Sequence, residues 1–310
     1  MQQAVQSGPA VKTNQHLYDM KKLFLAACIL FSMNMNAKVT ESKIIDEGGS
    51  GPYKAVAFSE SGMPGFTMYC PQKLKNAVRE EGKLPVIVFG NGACANSSLE
   101  HEHYLNELAS HGYFVIGIGP FDQGSFGNEL ANHSGGTKSE QLIEAMDWAG
   151  AQAKDKKSPY GKMIDTEKIC AMGMSCGGAQ CIFASADPRV KTSVIMNSGM
   201  GNMVSMAGAT PESVYKIDHP TLYVIGGPTD IAYDNANIDY EKYTTPVAQV
   251  NLPVGHGGTY LKQFGGEFSP MVIAWLDYQF KGKTENGEKI FKNHDLSGFP
   301  AEWTIKSKNF

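Results

Sequence analysis

Residues 168–186 read KICAMGMSCGGAQCIFASA. The run Lys168-Ile169-Cys170-Ala171-Met172 is short and apolar and follows the turn-like Met163-Ile164-Asp165-Thr166, while Ala179 to Ala186 has the composition of a helix. Between them Gly173-Met174-Ser175-Cys176-Gly177 spells G-x-S-x-G, a strand turning sharply into a helix with a serine at the apex. The glycines leave room for the tight turn, and the turn holds the hydroxyl clear of its own backbone. This is the local form of a nucleophile elbow and makes Ser175 the candidate nucleophile. The pentapeptide recurs by chance in a chain with 34 glycines, so a catalytic serine also requires partners further along.

A serine hydroxyl is a poor nucleophile near neutral pH. It needs a base, and the base needs a carboxylate to orient it. On an α/β scaffold with this elbow the chain order is Ser, then Asp or Glu, then His, each on a loop after a later strand. Thr221-Leu222-Tyr223-Val224-Ile225-Gly226-Gly227 has the look of a buried strand, and Pro228-Thr229-Asp230 follows it directly. Ala248 to Val254 is a further strand, ending at Gly255-His256-Gly257-Gly258-Thr259-Tyr260, where three glycines leave a histidine free to turn toward a cleft. Ser175, Asp230 and His256 are therefore the expected catalytic set, with Asp234 close enough to compete for the acid's role. An oxyanion hole needs two backbone N–H donors aimed at one oxygen. One is expected from Cys176, the residue after the nucleophile. The other comes from Gly90-Asn91-Gly92-Ala93-Cys94-Ala95-Asn96, the loop after the strand Leu84 to Phe89, with Ala93 as donor and Cys94 as fallback.

The remaining histidines build no rival centre. His101 and His103 stand two apart on an expected helix and face different ways, a poor metal pair. No Cys-x-x-Cys pair or H-E-x-x-H helix occurs, so neither a metal nor a cofactor is expected.

Three strings, Phe89-Gly90-Asn91-Gly92-Ala93-Cys94, Gly173-Met174-Ser175-Cys176-Gly177-Gly178 and Gly255-His256-Gly257-Gly258-Thr259-Tyr260, stand in this order. With them the chain resembles the α/β-hydrolase superfamily over nearly all of residues 38–310, most closely its secreted dienelactone-hydrolase, cutinase and polyester-hydrolase side. It departs from the dienelactone hydrolases proper, whose nucleophile is a cysteine; here Ser175 holds that position. The resemblance implies a mostly parallel central sheet with helices on both faces. It also implies a serine hydrolase that cleaves carboxylic esters through an acyl-enzyme.

Composition and periodicity agree. Strand and helix signals alternate: Tyr53 to Phe58, Gly65 to Cys70, the helix Leu99 to Ser110, the strand Tyr113 to Ile118, the helix Ser139 to Lys154, the strand Thr192 to Asn197 and the helix Pro270 to Phe280. A 42% hydrophobic content suffices for one full core, and a net charge of −4 without a basic patch argues against nucleic acid as a partner. Residues 1–37 read as a leader. A signal peptide starts at Met20-Lys21-Lys22, its apolar run Leu23 to Phe31 is too short to span a membrane, and cleavage is expected after Ala37. Leu25-Ala26-Ala27-Cys28 also resembles a lipoprotein box. Either way the protein is expected to be exported, to the periplasm or outside the cell.

Export permits disulfides. Cys70, Cys170 and Cys181 fall on regular elements, where a buried free thiol is the default. Cys94 and Cys176 lie on the two loops that must converge on one oxyanion. Their α-carbons are then expected within about 4.4–6.8 Å, so a Cys94–Cys176 disulfide is predicted. The stretch Ser198 to Ile217 is too short for a large lid and carries Met200 and Met203, soft side chains suited to an apolar acyl group. A small-molecule or polymer-borne ester fits such an open cleft. Two other readings use the same residues: a serine peptidase or acyltransferase, and a binding module that has kept the fold without catalysis.

Overall fold

The strand Leu84–Gly90 (β4) is buried along its whole length, and its side chains alternate between two interiors. Val86 and Val88 enter one apolar cluster with Phe58, Phe114, Leu142 and Ile182; Ile87 and Phe89 enter another with Tyr69, Tyr104, Val115 and Trp275. A strand buried on both faces belongs inside a sheet covered by helices on each side. The structure is a computed structural model and describes residues 38–127 and 135–310. The expected leader, with its signal start at Met20 and its candidate lipidation site Cys28, lies outside the described residues.

The other strands, in chain order, are Val39–Lys43 (β1), Ala55–Glu60 (β2), Phe66–Pro71 (β3), Phe114–Ile118 (β5), Ile164–Met174 (β6), Val190–Met196 (β7), Thr221–Ile225 (β8), Val247–Asn251 (β9) and Thr304–Lys308 (β10). They form one sheet in the order β1-β2-β3-β5-β4-β6-β7-β8-β9-β10. The six strands from β5 to β9 along that order are parallel; β1, β2 and β3 on one side and β10 on the other are joined through antiparallel pairs. The longer helices among the described residues are Leu74–Glu81 (α1), Glu102–Ser110 (α2), Glu140–Lys154 (α3), Cys176–Ala184 (α4), Tyr233–Lys242 (α5) and Phe268–Phe280 (α6). On α3, Leu142, Met146 and Ala149 line one buried face and join the first cluster; on α6, Val272, Leu276 and Phe280 join the second. This mostly parallel sheet sandwiched between helices is the α/β-hydrolase fold.

The expected helix from Pro270 begins two residues earlier, at Phe268. That puts Pro270 in the first turn, where its missing N–H leaves no bond unmade. Between β7 and β8 the chain forms only a two-residue bridge, Met206 with Ala209, and a 3-10 turn, Pro211–Lys216. The order reverses around β4, whose neighbours are β5 and β6. Ligand sites in open α/β sheets form at such a switch point, beyond the carboxyl ends of the strands.

Candidate active site

Ser175 stands between the end of β6 and the first residue of α4, at φ 53° and ψ −116°. A non-glycine residue in that region costs on the order of 1–3 kcal/mol and persists only where its surroundings force it. The forcing is visible. Ser175 N–H donates to the Met196 carbonyl at 2.9 Å, and Ser198 Oγ donates to the Ser175 carbonyl at 2.7 Å. A Cβ added to Gly173 would run into the Gly177 carbonyl, and one added to Gly177 into the Gly90 carbonyl. Only glycines let α4 pack this close to β4 and its own strand.

Three loops at the carboxyl ends of β6, β8 and β9 bring Ser175, Asp230 and His256 into one line. His256 Nδ1 is 2.7 Å from Asp230 Oδ1, and His256 Nε2 is 2.9 Å from Ser175 Oγ. Asp234 is exposed on the first turn of α5, so the acid that meets His256 is Asp230. Burial by itself would push the Asp230 carboxyl up. Hydrogen bonds from His256, the Ala232 and Gly226 N–H groups and Asn197 outweigh it and hold the group below the usual carboxylate range. An ionised carboxylate only accepts, so Nδ1 carries the proton and Nε2 is left to accept from the serine hydroxyl.

Asn197, at the end of β7, is absent from the sequence reading. It is fully buried, adopts φ 44°, and donates through Nδ2 to Asp230 Oδ2 at 2.7 Å and to the Gly255 carbonyl at 3.3 Å. Its Oδ1 accepts from the Tyr260 hydroxyl at 2.5 Å. One amide thus ties the acid to both sides of the His256 loop. Asparagine tolerates the left-handed backbone, but nothing in the string Met196-Asn197-Ser198 marks it. Glu100 is a second such residue. Burial holds its carboxyl above the usual carboxylate range, and His256 is the side chain that opposes this.

The two loops expected to form an oxyanion hole do converge. Cys94 and Cys176 are joined by a disulfide, with α-carbons 5.1 Å apart. Gly92–Cys94 forms a 3-10 turn, and the Cys176 and Gly177 N–H groups stand in the first turn of α4, where a helix offers them no carbonyl. Ala93 is exposed. Cys70, Cys170 and Cys181 are free and buried.

Met200 is fully buried in the first core cluster and Met203 packs against it from the edge. The Met200 N–H is fixed by the buried Asp239 at 2.5 Å. Met200 thus fills core at the start of the segment after β7. His101 is fully buried between Phe89 and Tyr260, at ring-centre distances of 5.0 and 4.9 Å, and burial pushes its imidazole down to about 3. His103 turns the other way, to Asp46 at 2.8 Å. Among the described residues no group of three His, Cys, Asp or Glu side chains converges as metal ligands would.

The chain is 28% identical over 143 residues to the protein named Hydrolase ffsE from Aspergillus flavipes. That match takes in 45% of this chain and 31% of the relative, so the chain spans under a third of that protein. A family model described as PET hydrolase-like matches residues 37–282, the whole run from the first strand past the end of α6. With that match laid over an elbow, an acid and a histidine at the carboxyl ends of β6, β8 and β9, the chain belongs to the PET hydrolase-like family.

Proposed function

We propose that this protein is an exported serine esterase that hydrolyses carboxylic esters through an acyl-enzyme. The observation that carries the reading is the unbroken line from Asp230 through His256 to Ser175, at 2.7 and 2.9 Å. In the proposed cycle Ser175 Oγ attacks the ester carbonyl while His256 Nε2 takes its proton. Asp230 holds the imidazolium through Nδ1–H, and the carbonyl oxygen, now negative, is met by the Cys176 N–H and by a donor of the Gly92–Cys94 turn, Ala93 or else Cys94. His256 then protonates the departing alcohol. Water enters by the reverse sequence and frees the acid.

The substrate we assign is an ester with an apolar or aromatic acyl group, including one carried on a polymer. Ile231, next to Asp230, is 79% exposed, and Val254, two residues before His256, is 38% exposed. Large apolar side chains left in water on the two loops of a site favour an apolar partner. The short link between β7 and β8 leaves room for a bulky one. Export is supported by the disulfide, which persists in oxidising compartments. No helix among the described residues is long and apolar enough to cross a membrane.

The test is a series of p-nitrophenyl esters of increasing chain length beside aminoacyl anilides, run on wild type and Ser175→Ala. Ester turnover that falls by about 10⁴-fold or more in the variant, with anilides inert, is the expected result. Turnover of anilides alone, or no turnover at all, would replace this reading with a peptidase or a binding module.

A further inference from the structure

Ala93 and Cys94 both adopt left-handed backbone, at φ 54° and 50°, and neither is a glycine. Residues with a Cβ enter that region rarely, and two in succession stay there only where the surroundings over-determine the turn. Three restraints do so. The Gly135 N–H donates to the Ala93 carbonyl at 3.1 Å. Thr137 donates to the Cys94 carbonyl through its N–H at 3.4 Å and its Oγ1 at 2.8 Å. The third is the covalent bond from Cys94 to Cys176. The first two tie the turn to residues 135–137. The disulfide ties it to the N-terminus of α4, one residue after Ser175.

We propose that the Cys94–Cys176 disulfide is the positioning element of the oxyanion hole. It holds the left-handed turn, and with it the second N–H donor, at the separation from the Cys176 N–H that a single oxygen requires. Hydrolysis then depends on this bond being oxidised. The proposal rests on the acyl-enzyme reading above and adds a condition to it. The nucleophile and base do not hang on the bond: Ser175 is held by Met196, Ser198 and His256, and His256 by Asp230. Reduction therefore leaves a competent nucleophile and removes the stabilisation of charge.

A dithiol reductant supplies both electrons. One of its thiolates attacks a sulfur of the bond to give a mixed disulfide, and its second thiol displaces the protein. Cys94 and Cys176 end as thiols and the reductant as a cyclic disulfide. Cys176 is half-exposed, whereas Cys70, Cys170 and Cys181 are buried, with burial pushing the Cys70 and Cys181 thiols up to about 12. Among the described residues the reagent thus meets one reactive bond.

The experiment uses the full chain, oxidised, reduced with dithiothreitol and reoxidised, beside Cys94→Ala. A p-nitrophenyl ester is the substrate, a trifluoromethyl ketone serves as mimic of the oxyanion, and circular dichroism follows the fold. Loss of one donor typically lowers kcat on the order of 10²-fold. The expected result is a kcat drop of about that size with KM nearly unchanged, a parallel loss of affinity for the ketone, a retained fold, and recovery on reoxidation. Unchanged kcat in protein whose two thiols titrate as free would overturn the proposal, as would activity lost only in step with folded signal. If Ser175→Ala keeps wild-type turnover in the same assay, the acyl-enzyme reading has failed instead.

Discussion

Asp230 is buried and still ionised because four donors meet its two oxygens. Removing Asn197 takes one of them away and leaves the Tyr260 hydroxyl without its acceptor in a buried place. Asn197→Ala is expected to cost about 1–3 kcal/mol of stability, the usual penalty for stranding buried polar groups, and to lower kcat. Thermal unfolding and ester kinetics on the one variant measure both. A second residue sets a pH limit. His101 stays neutral down to about 3 in the fold, whereas an unfolded chain protonates it near 6.5. Below pH 6.5 the unfolded state therefore binds more protons, and stability falls by up to about 1.4 kcal/mol per pH unit from this group. The buried His219, pushed down to about 4, adds to the same slope. Unfolding temperature from pH 7 to pH 5 should decline in wild type and decline less in His101→Leu; equal slopes would remove His101 from the account. At this scale the sequence was legible wherever a residue sits in a motif of fixed spacing. Ser175 and His256 stand among glycines, and Asp230 follows a strand directly. Asn197 was hidden because its partners depend on how β7 lies beside β8, which no local string records. The burial of Met200 was hidden for a related reason: an apolar residue after a strand does not reveal which way the chain turns.

The elbow is the element on which the site depends. Its glycines are set by contact, since the carbonyls of Gly90 and Gly177 occupy the places where side chains would go. Gly177→Ala should force α4 away from β4, cost roughly 1–3 kcal/mol as overpacked interiors do, and displace the Cys176 N–H. Calorimetry together with ester kinetics would register both effects; a variant with unaltered stability and turnover would contradict the close approach of helix and strand. Elements buried on one or both faces were readable from apolar runs and spacing, as β4, β6, α3 and α6 illustrate. Those at the rim were not. β1, VTESK, is exposed along almost all its length, and β10, TIKSK, offers few apolar residues, so each pairs through its backbone without an apolar pattern. The helix α5 begins three residues after Asp230 with Tyr-Asp-Asn-Ala-Asn, a composition closer to a loop.

At the scale of the molecule, five loops from the carboxyl ends of β4, β6, β7, β8 and β9 meet at one place, and the chain order of the site follows the order of those strands. That order is why widely separated motifs could be joined before any coordinates. The cross-link between Cys94 and Cys176, 82 residues apart in sequence, links the first two of these loops. Bonds closing loops of that size typically stabilise by about 2–4 kcal/mol, so the same bond serves the fold and, by our proposal, the oxyanion. What the sequence left open was the substrate, because the exposure of side chains such as Ile231 and Val254 is recorded by no motif. The central claim is that Ser175 is the nucleophile of this arrangement. It is tested most directly by treating wild type and Ser175→Ala with a fluorophosphonate and locating the adduct by peptide mass spectrometry. The account predicts one adduct, on Ser175, with ester turnover lost in proportion to labelling and no adduct in the variant. Labelling at another residue, or turnover that survives complete modification of Ser175, would contradict it.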